Sequence, residues 1–372
     1  MTNSKLFTPL RVGNVDLSNR IALAPLTRFR VDDEHVPLPF VKDYYVQRGS
    51  VPGTLLITEA TLITARAGGY PNVPGIYTDA QITAWKEITD AVHAKGSHIY
   101  MQLWALGRVA NPDVLASKDS SYEVISSSDT PVSPDSVVPR ALTESEISEW
   151  IADYAQAARN AIAAGFDGVE LHAANGYLID QFTQDTCNKR TDGWGGDVER
   201  RARFAIEATR AVVDAIGAER TGIRFSPFSP FQGMLMDDPK PTFGYLAKRM
   251  AEFKLAYVHL VEGRVSGNTD VEQRGDLEFF LRAYGGASPV IIAGGYKGRS
   301  AVEAVEGKYR EWDVVIAIGR PFISNPDLVF RVKEGIELVP YDREMFYRVK
   351  DPKGYVDYGF SEEFERVVGV LA

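Results

Sequence analysis

Gly168-Val-Glu-Leu-His-Ala-Ala-Asn-Gly-Tyr177 decides how the rest of the chain is read. Gly165 ends the amphipathic run before it, and Gly168 to Leu171 is short, apolar and partly β-branched, the signature of a buried strand after a helix. His172 falls where that strand stops, and Asn175-Gly176 is turn chemistry. Positions i and i+3 of a turn or first helical coil face the same way, so His172 and Asn175 converge on one ligand atom, with the Tyr177 phenol beside them. Two donors to one oxygen plus an acid suit the polarisation of a carbonyl. Taken alone, the same residues also describe a satisfied strand-end histidine and an ordinary turn.

Outward from this stretch, helical and strand patterns alternate. Apolar strand runs lie at Arg20–Ala24, Thr54–Glu59, Ser97–Leu103, Gly168–His172, Thr221–Phe225, Ala256–Val261, Pro289–Ala293 and Asp313–Ile318. Between them, Thr143–Ala164 opens with the capping box Thr143-x-x-Glu146 and keeps Ile147, Trp150, Ile151, Tyr154 and Ala158 on one face. A second helix runs from about Asp79 to Lys95, and Asn325-Pro326 opens a late one that Gly335 closes. Eight strand–helix units predict an α/β fold, a (β/α)8 TIM barrel. Residues 6–19 read as a hairpin with a Gly13-Asn14 turn, plugging the bottom of a barrel over about 20–335, with 336–372 packing on it. No composition shift divides residues 1–372 into two domains. A doubly wound sheet would want a glycine-rich turn after the first strand, and Ala24-Pro-Leu-Thr-Arg-Phe29 has none.

The long connections, 60–78, 104–142, 173–196 and 226–241, all follow strands, which places the active site on the C-terminal face. The stretch 104–142 is an excursion or lid over that face. Strand ends bring Pro25 and Thr27, Ala60, Gln102 and Trp104, His172 and Asn175, Arg224, Gly294-Gly295 and Gly319-Arg320 to one rim. Glycine turns opening towards helices, with Arg320, suit a single phosphate and so a mononucleotide cofactor.

The net charge of −9 and the lack of a basic stripe argue against nucleic acid. Cys187 is the only cysteine, which leaves no intramolecular disulfide, thiolate zinc site or iron–sulfur cluster; no metal site is expected. No run reaches membrane-spanning length, and without a secretory segment the expected location is the cytosol.

Ala24-Pro-Leu-Thr-Arg28, Gln102-Leu-Trp104, His172-Ala-Ala-Asn-Gly-Tyr177, Arg190-x-Asp192-x-Trp-Gly-Gly196 and Gly319-Arg-Pro-Phe-Ile-Ser-Asn-Pro-Asp327 together resemble the Old Yellow Enzyme family of flavin ene-reductases. The likeness runs from about Leu6 to Phe360 and extends to N-ethylmaleimide, morphinone and 12-oxophytodienoate reductases. It implies a bound FMN held by Pro25, Leu26, Thr27, Ala60, Gln102 and Arg224, with Gly294, Gly295, Gly319 and Arg320 on the phosphate. It implies that NADPH, in preference to NADH, reduces the flavin and leaves, and that an enone or enal follows in a ping-pong cycle. His172 and Asn175 would bind the substrate oxygen, flavin N5 would pass hydride to Cβ, and Tyr177 would protonate Cα. Trp104, Phe231 and Tyr347 match pocket aromatics, and the expected assembly is a monomer or homodimer. The chain departs from the family at Trp194, Asp197 and Arg200, usually Tyr, Ser and Asn, which puts the packing of that loop in question. Within the enzyme class, an isomerase or aldehyde-processing member of a natural-product pathway is the second reading, against which Tyr177 favours net reduction. A flavin-free binding barrel is the reading from another class.

Overall fold

Every apolar run expected to be a strand is one, with ends that differ by no more than two residues. In a computed structural model describing residues 4–369, these are β1 (Ile21–Leu23), β2 (Leu55–Ile57), β3 (His98–Trp104), β4 (Gly168–His172), β5 (Thr221–Phe225), β6 (Tyr257–Val261), β7 (Val290–Ala293) and β8 (Val314–Ile318). Residues 1–3 and the last three of the expected C-terminal segment lie outside those described. Each strand pairs in parallel with its successor, and β8 returns to β1 through Ile316↔Ile21 and Ile318↔Leu23. The ring is closed: the (β/α)8 barrel of the sequence reading.

The helices following successive strands are α1 (Pro39–Arg48), α2 (Asp79–His93), α3 (Glu144–Ala163), α4 (Val198–Ile216), α5 (Lys240–Phe253), α6 (Glu278–Tyr284), α7 (Gly298–Glu306) and α8 (Leu328–Glu334). Side chains of a strand alternate faces. Ile99, Met101, Val169, Leu171, Ile223, Val258 and Leu260 accordingly join the large core under the helices, while Leu55, Ile57, Tyr100, Tyr257, Ile291 and Val315 fill the barrel. Glycine makes that filling possible. A Cβ on Gly222 would lie 2.6 Å from the Tyr257 ring, and one on Gly168 2.3 Å from that of Tyr100. The two tyrosines occupy the freed space with ring centroids 5.5 Å apart.

Below them sits the hairpin, Leu10–Val12 against Val15–Leu17, in the expected register. Its Val12, Val15 and Leu17 are buried in the barrel core, and Asn14 Oδ1 accepts from the Tyr100 hydroxyl at 2.9 Å. The plug therefore closes the N-terminal end, leaving the other end for chemistry.

Helix α3 carries the expected box: Glu146 N–H donates to Thr143 Oγ1 at 3.3 Å, and Thr143 N–H to Glu146 Oε2 at 2.8 Å. Thr78 and Gln81 form a second box on α2, unnoticed in the sequence. Helix α2 stops at His93, not Lys95. The late helix begins at Leu328 and not at Asn325-Pro326. Asn325 is engaged elsewhere: its amide donates to Pro321 O and accepts from Val339 N–H, both at 2.8 Å, which fastens the C-terminal segment. Trp194 is buried under the Arg203 guanidinium, 4.2 Å from its ring centre, and Asp197 caps α4 by accepting from Arg200 N–H at 3.0 Å. The three departures in that loop are thus each accommodated: Trp194 in the buried layer, Asp197 and Arg200 in the cap of α4. No helix among the described residues is long and apolar enough to cross a membrane.

Candidate active site

The C-terminal ends of the strands surround a cavity of about 590 Å³. Every residue to which the sequence reading gave a role lines it: Pro25, Leu26, Thr27, Ala60, Gln102, Trp104, His172, Asn175, Tyr177, Arg224, Phe231, Gly294, Gly295, Gly319, Arg320 and Tyr347.

His172 ends β4 on its inward face, directly opposite Arg224 of β5. The chain then turns sharply, with φ +59° at Asn175 and +76° at Gly176. Asparagine and glycine are the residues that accept this left-handed conformation at least cost. Three bonds hold the turn. Asn175 N–H donates to Ser226 Oγ, Gly176 N–H donates to Asp180 Oδ2, and Gly176 O accepts from Gln181 Nε2, all at 2.8 Å. A Cβ on Gly176 would stand 2.8 Å from Gln232 Cβ, so the close approach of the loop after β5 also demands glycine.

Tyr177, the next residue, sets its ring edge-on to both His172 and Trp104, with centroids 4.9 Å apart in each pair. Burial holds its phenol well above the ordinary tyrosine range, so it keeps its proton throughout the neutral region. Burial, reinforced by the nearby positive charge of Arg224, holds His172 well below the ordinary histidine range. Its imidazole is neutral and has one N–H to give.

The wall beside this turn is polar and incompletely satisfied. Arg224 is about nine-tenths buried, yet makes no ion pair within 4.0 Å among the described residues, and its Nε has no partner. A buried guanidinium without a carboxylate in contact is expensive, and a bound anion or electron-rich group is the usual remedy. Trp104 Nε1 and His172 Nδ1 are likewise buried without partners. Gln102 donates from Nε2 to Glu170 Oε1 at 2.7 Å, leaving its carbonyl oxygen for the cavity.

On the far side, β7 and β8 end in the expected glycine turns. Gly295 has φ +70°, and a Cβ on Gly319 would meet Leu26 at 3.1 Å. Arg320 is there, but its guanidinium pairs with Asp270 at 2.5 Å, on a short antiparallel pair, Val265–Ser266 with Thr269–Asp270, after β6. Sequence reasoning passed over this loop; Asn268 and Asp270 line the cavity, as do Lys297, Phe29 and Tyr70. Asn268 Nδ2 donates to the Tyr347 hydroxyl at 2.9 Å, and Phe231 packs on Gly267. These contacts frame the mouth. The 104–142 stretch does not: it is an excursion with a short helix, Pro112–Lys118, and of it only Trp104 lines the cavity. Arg108 ties it down by donating to the Thr130, Pro131 and Gln232 carbonyls. Cys187 is buried outside the cavity, its sulfur 3.5 Å from Ser126 Oγ.

The family model described as NADH:flavin oxidoreductase / NADH oxidase matches residues 5–339. Among curated proteins, "Chanoclavine-I aldehyde reductase fgaOx3" of Penicillium roqueforti (strain FM164) is 68% identical over 369 residues, covering 99% of this chain and 100% of its own. "NADP-dependent oxidoreductase lnbE" of Aspergillus flavus is 54% identical over 368 residues, covering 97% of each. Among solved structures, the Old Yellow Enzyme of Pichia sp. AKU4542 superposes with a TM-score of 0.89 at 39% identity, over 97% of this chain and 95% of that one.

Proposed function

This chain belongs to the NADH:flavin oxidoreductase / NADH oxidase family, that of Old Yellow Enzyme, and from that premise we propose an FMN-dependent reductase of the C=C bond of α,β-unsaturated aldehydes and ketones. The observation that carries the reading is a donor turn, His172 to Tyr177, set beside a buried arginine that has no anionic partner. The residues present fit FMN. Arg224 and the Gln102 carbonyl would face its pyrimidine edge, with Thr27, Ala60 and the Pro25-Leu26 backbone against the ring. Gly294, Gly295, Gly319 and Arg320 would take the phosphate, with Lys297 as a further cation and Asp270 competing for Arg320.

Bound FMN supplies the hydride, taken from a nicotinamide and passed to the substrate's Cβ. The chain's own residues do the rest. His172 and Asn175 donate to the substrate oxygen, which gains negative charge as Cβ is reduced, so their bonds strengthen in the transition state. A neutral His172 does this without adding a second buried cation next to Arg224. Tyr177 carries the proton for Cα, and the Trp104 ring at its edge fixes the direction of delivery. The aromatic mouth formed by Phe231, Tyr70 and Tyr347 restricts water.

NADPH is the proposed reductant, supported by the NADP-dependent relative, and the aldehyde-reductase relative favours enals among the substrates. That relative also supports the aldehyde-processing variant of the second reading, and product analysis separates the two. Turnover of a 2-alkenal with NADPH is expected to give the saturated aldehyde, one nicotinamide oxidised per product. A rearranged alkenal formed without net NADPH consumption would instead establish isomerisation.

A further inference from the structure

Glu170 has no part in the chemistry above, yet it is fully buried among the residues that do. It points into the barrel from β4, one layer below His172, because inward positions recur every second residue. Its Oε1 accepts from Gln102 Nε2 at 2.7 Å, and its Oε2 lies 2.8 Å from His259 Nδ1, also fully buried. Gln102 stands opposite Glu170 in the β3–β4 register, and His259 stands opposite Arg224 in the β5–β6 register. A buried carboxylate stabilises a fold less than apolar packing in the same space would, so its presence calls for a reason.

Two consequences follow from its chemistry. A carboxylate only accepts, so it requires the amide N–H of Gln102 and turns the Gln102 carbonyl towards the cavity. A carbonyl facing the cavity pairs with an imide N–H, the donor on the pyrimidine edge of a flavin. The second consequence is charge. Burial raises Glu170, but His259, Arg224 and Gln102 together hold it below the ordinary carboxylate range. Burial keeps His259 below the ordinary histidine range despite Glu170, and His172 is neutral too. The carboxylate accepts from both Gln102 and His259, and it is the acid whose field bears on the Arg224 guanidinium.

We infer that Glu170 is a positioning residue for the flavin: it fixes the amide of Gln102 and partly offsets the charge of Arg224, so that the reduction potential of the cofactor is set from one strand layer below the site. His259 is its second anchor. This rests on the FMN reading above and goes beyond it.

Glu170→Gln keeps the shape and removes the charge. The FMN midpoint potential of wild type and variant, measured by dye-equilibrated anaerobic titration, is expected to rise because Arg224 then favours the reduced, anionic flavin without offset. The expected size is at least a tenfold change in the oxidised-to-reduced ratio, about 30 mV for a two-electron couple. FMN affinity should also fall severalfold, since two facing amides pair in either orientation. His259→Asn, which retains an N–H donor and leaves the carboxylate charged, should keep that ratio within about twofold of wild type. A Glu170→Gln protein that holds FMN with an unmoved potential overturns the inference. If that variant does not fold, His259→Leu replaces it: loss of the donor promotes protonation of Glu170, the potential must again rise, and no rise overturns the inference. A wild-type protein that takes up no FMN would overturn the functional reading itself, and the two failures are therefore distinct.

Discussion

Tyr177→Phe separates the two halves of the proposed cycle. The substitution keeps the ring that packs against Trp104 and His172 at 4.9 Å centroid spacing, so the turn and the cavity wall remain in place. It removes only the acid. Reduction of the flavin by NADPH requires no proton from the protein, and its rate should stay within about twofold of wild type, small beside the 10²–10⁴-fold contribution of a positioned acid. Reduction of an enal requires a proton at Cα, and the Tyr177 phenol, protonated at neutral pH, is the acid placed beside the donor turn to give it. Loss of a positioned acid slows a step by roughly 10²–10⁴-fold, or about 3–5 kcal/mol of barrier. Quinones, which need no carbon protonation, should still reoxidise the flavin quickly. Stopped-flow absorbance of each half-reaction is the assay. Equal slowing of both halves would point to a misplaced flavin, and slowing of neither would assign the proton to water.

Arg224→Met should lower the flavin potential and weaken FMN retention, since a cation in a largely dry site attracts the reduced anion strongly; spectroelectrochemistry showing an unchanged potential at full occupancy would make Arg224 merely structural. His172→Leu should weaken the binding of para-substituted phenolates, which mimic the polarised enal oxygen, by about tenfold or more, as expected on losing a hydrogen bond to a charged group; equal affinity would refute the oxyanion assignment. The same variant tests the state of the imidazole. Because burial lowers the folded pKa of His172 below its unfolded value, its neutral form contributes stability above about pH 6.5 that is lost as the pH falls and the unfolded chain takes up a proton. The stability difference between wild type and His172→Leu in urea should therefore shift against wild type between pH 7.5 and 5.5, and a constant difference would contradict it. Cys187→Ser should leave both half-reactions within about twofold, because the thiol is buried outside the cavity beside two serine hydroxyls.

The barrel was legible because its strands are apolar β-branched runs and its helices begin and end on caps and glycines that act locally, as at Thr143 and Gly165. The rim was legible for a related reason: in a parallel barrel the strand end fixes which loop residues face the cavity, and the family's motifs sit at those ends. What escaped depends on distance in the chain. Glu170 and His259 are 89 positions apart, and each taken alone is a polar residue interrupting an apolar strand. Their alternation with Val169, Leu171, Val258 and Leu260 marks them as inward-facing, a signal that was available and unused. Asp270 lies in a polar loop with no apolar period, so nothing local placed it on Arg320. Of the two readings given to 104–142, the structure favours the excursion: length and polarity describe a loop without its direction, and Arg108 ties this one to the Thr130 and Gln232 carbonyls. The early start expected for α8 rested on Asn325-Pro326, whose asparagine is instead committed to Pro321 and Val339.

One measurement bears most directly on the central claim: the visible spectrum of the purified protein, supplied with FMN, through an anaerobic cycle of NADPH and then a 2-alkenal. The account predicts a yellow protein that bleaches with one equivalent of NADPH and regains its colour as one equivalent of saturated aldehyde appears. A protein that stays colourless, or one that bleaches and is not reoxidised by any enal or enone, would contradict it.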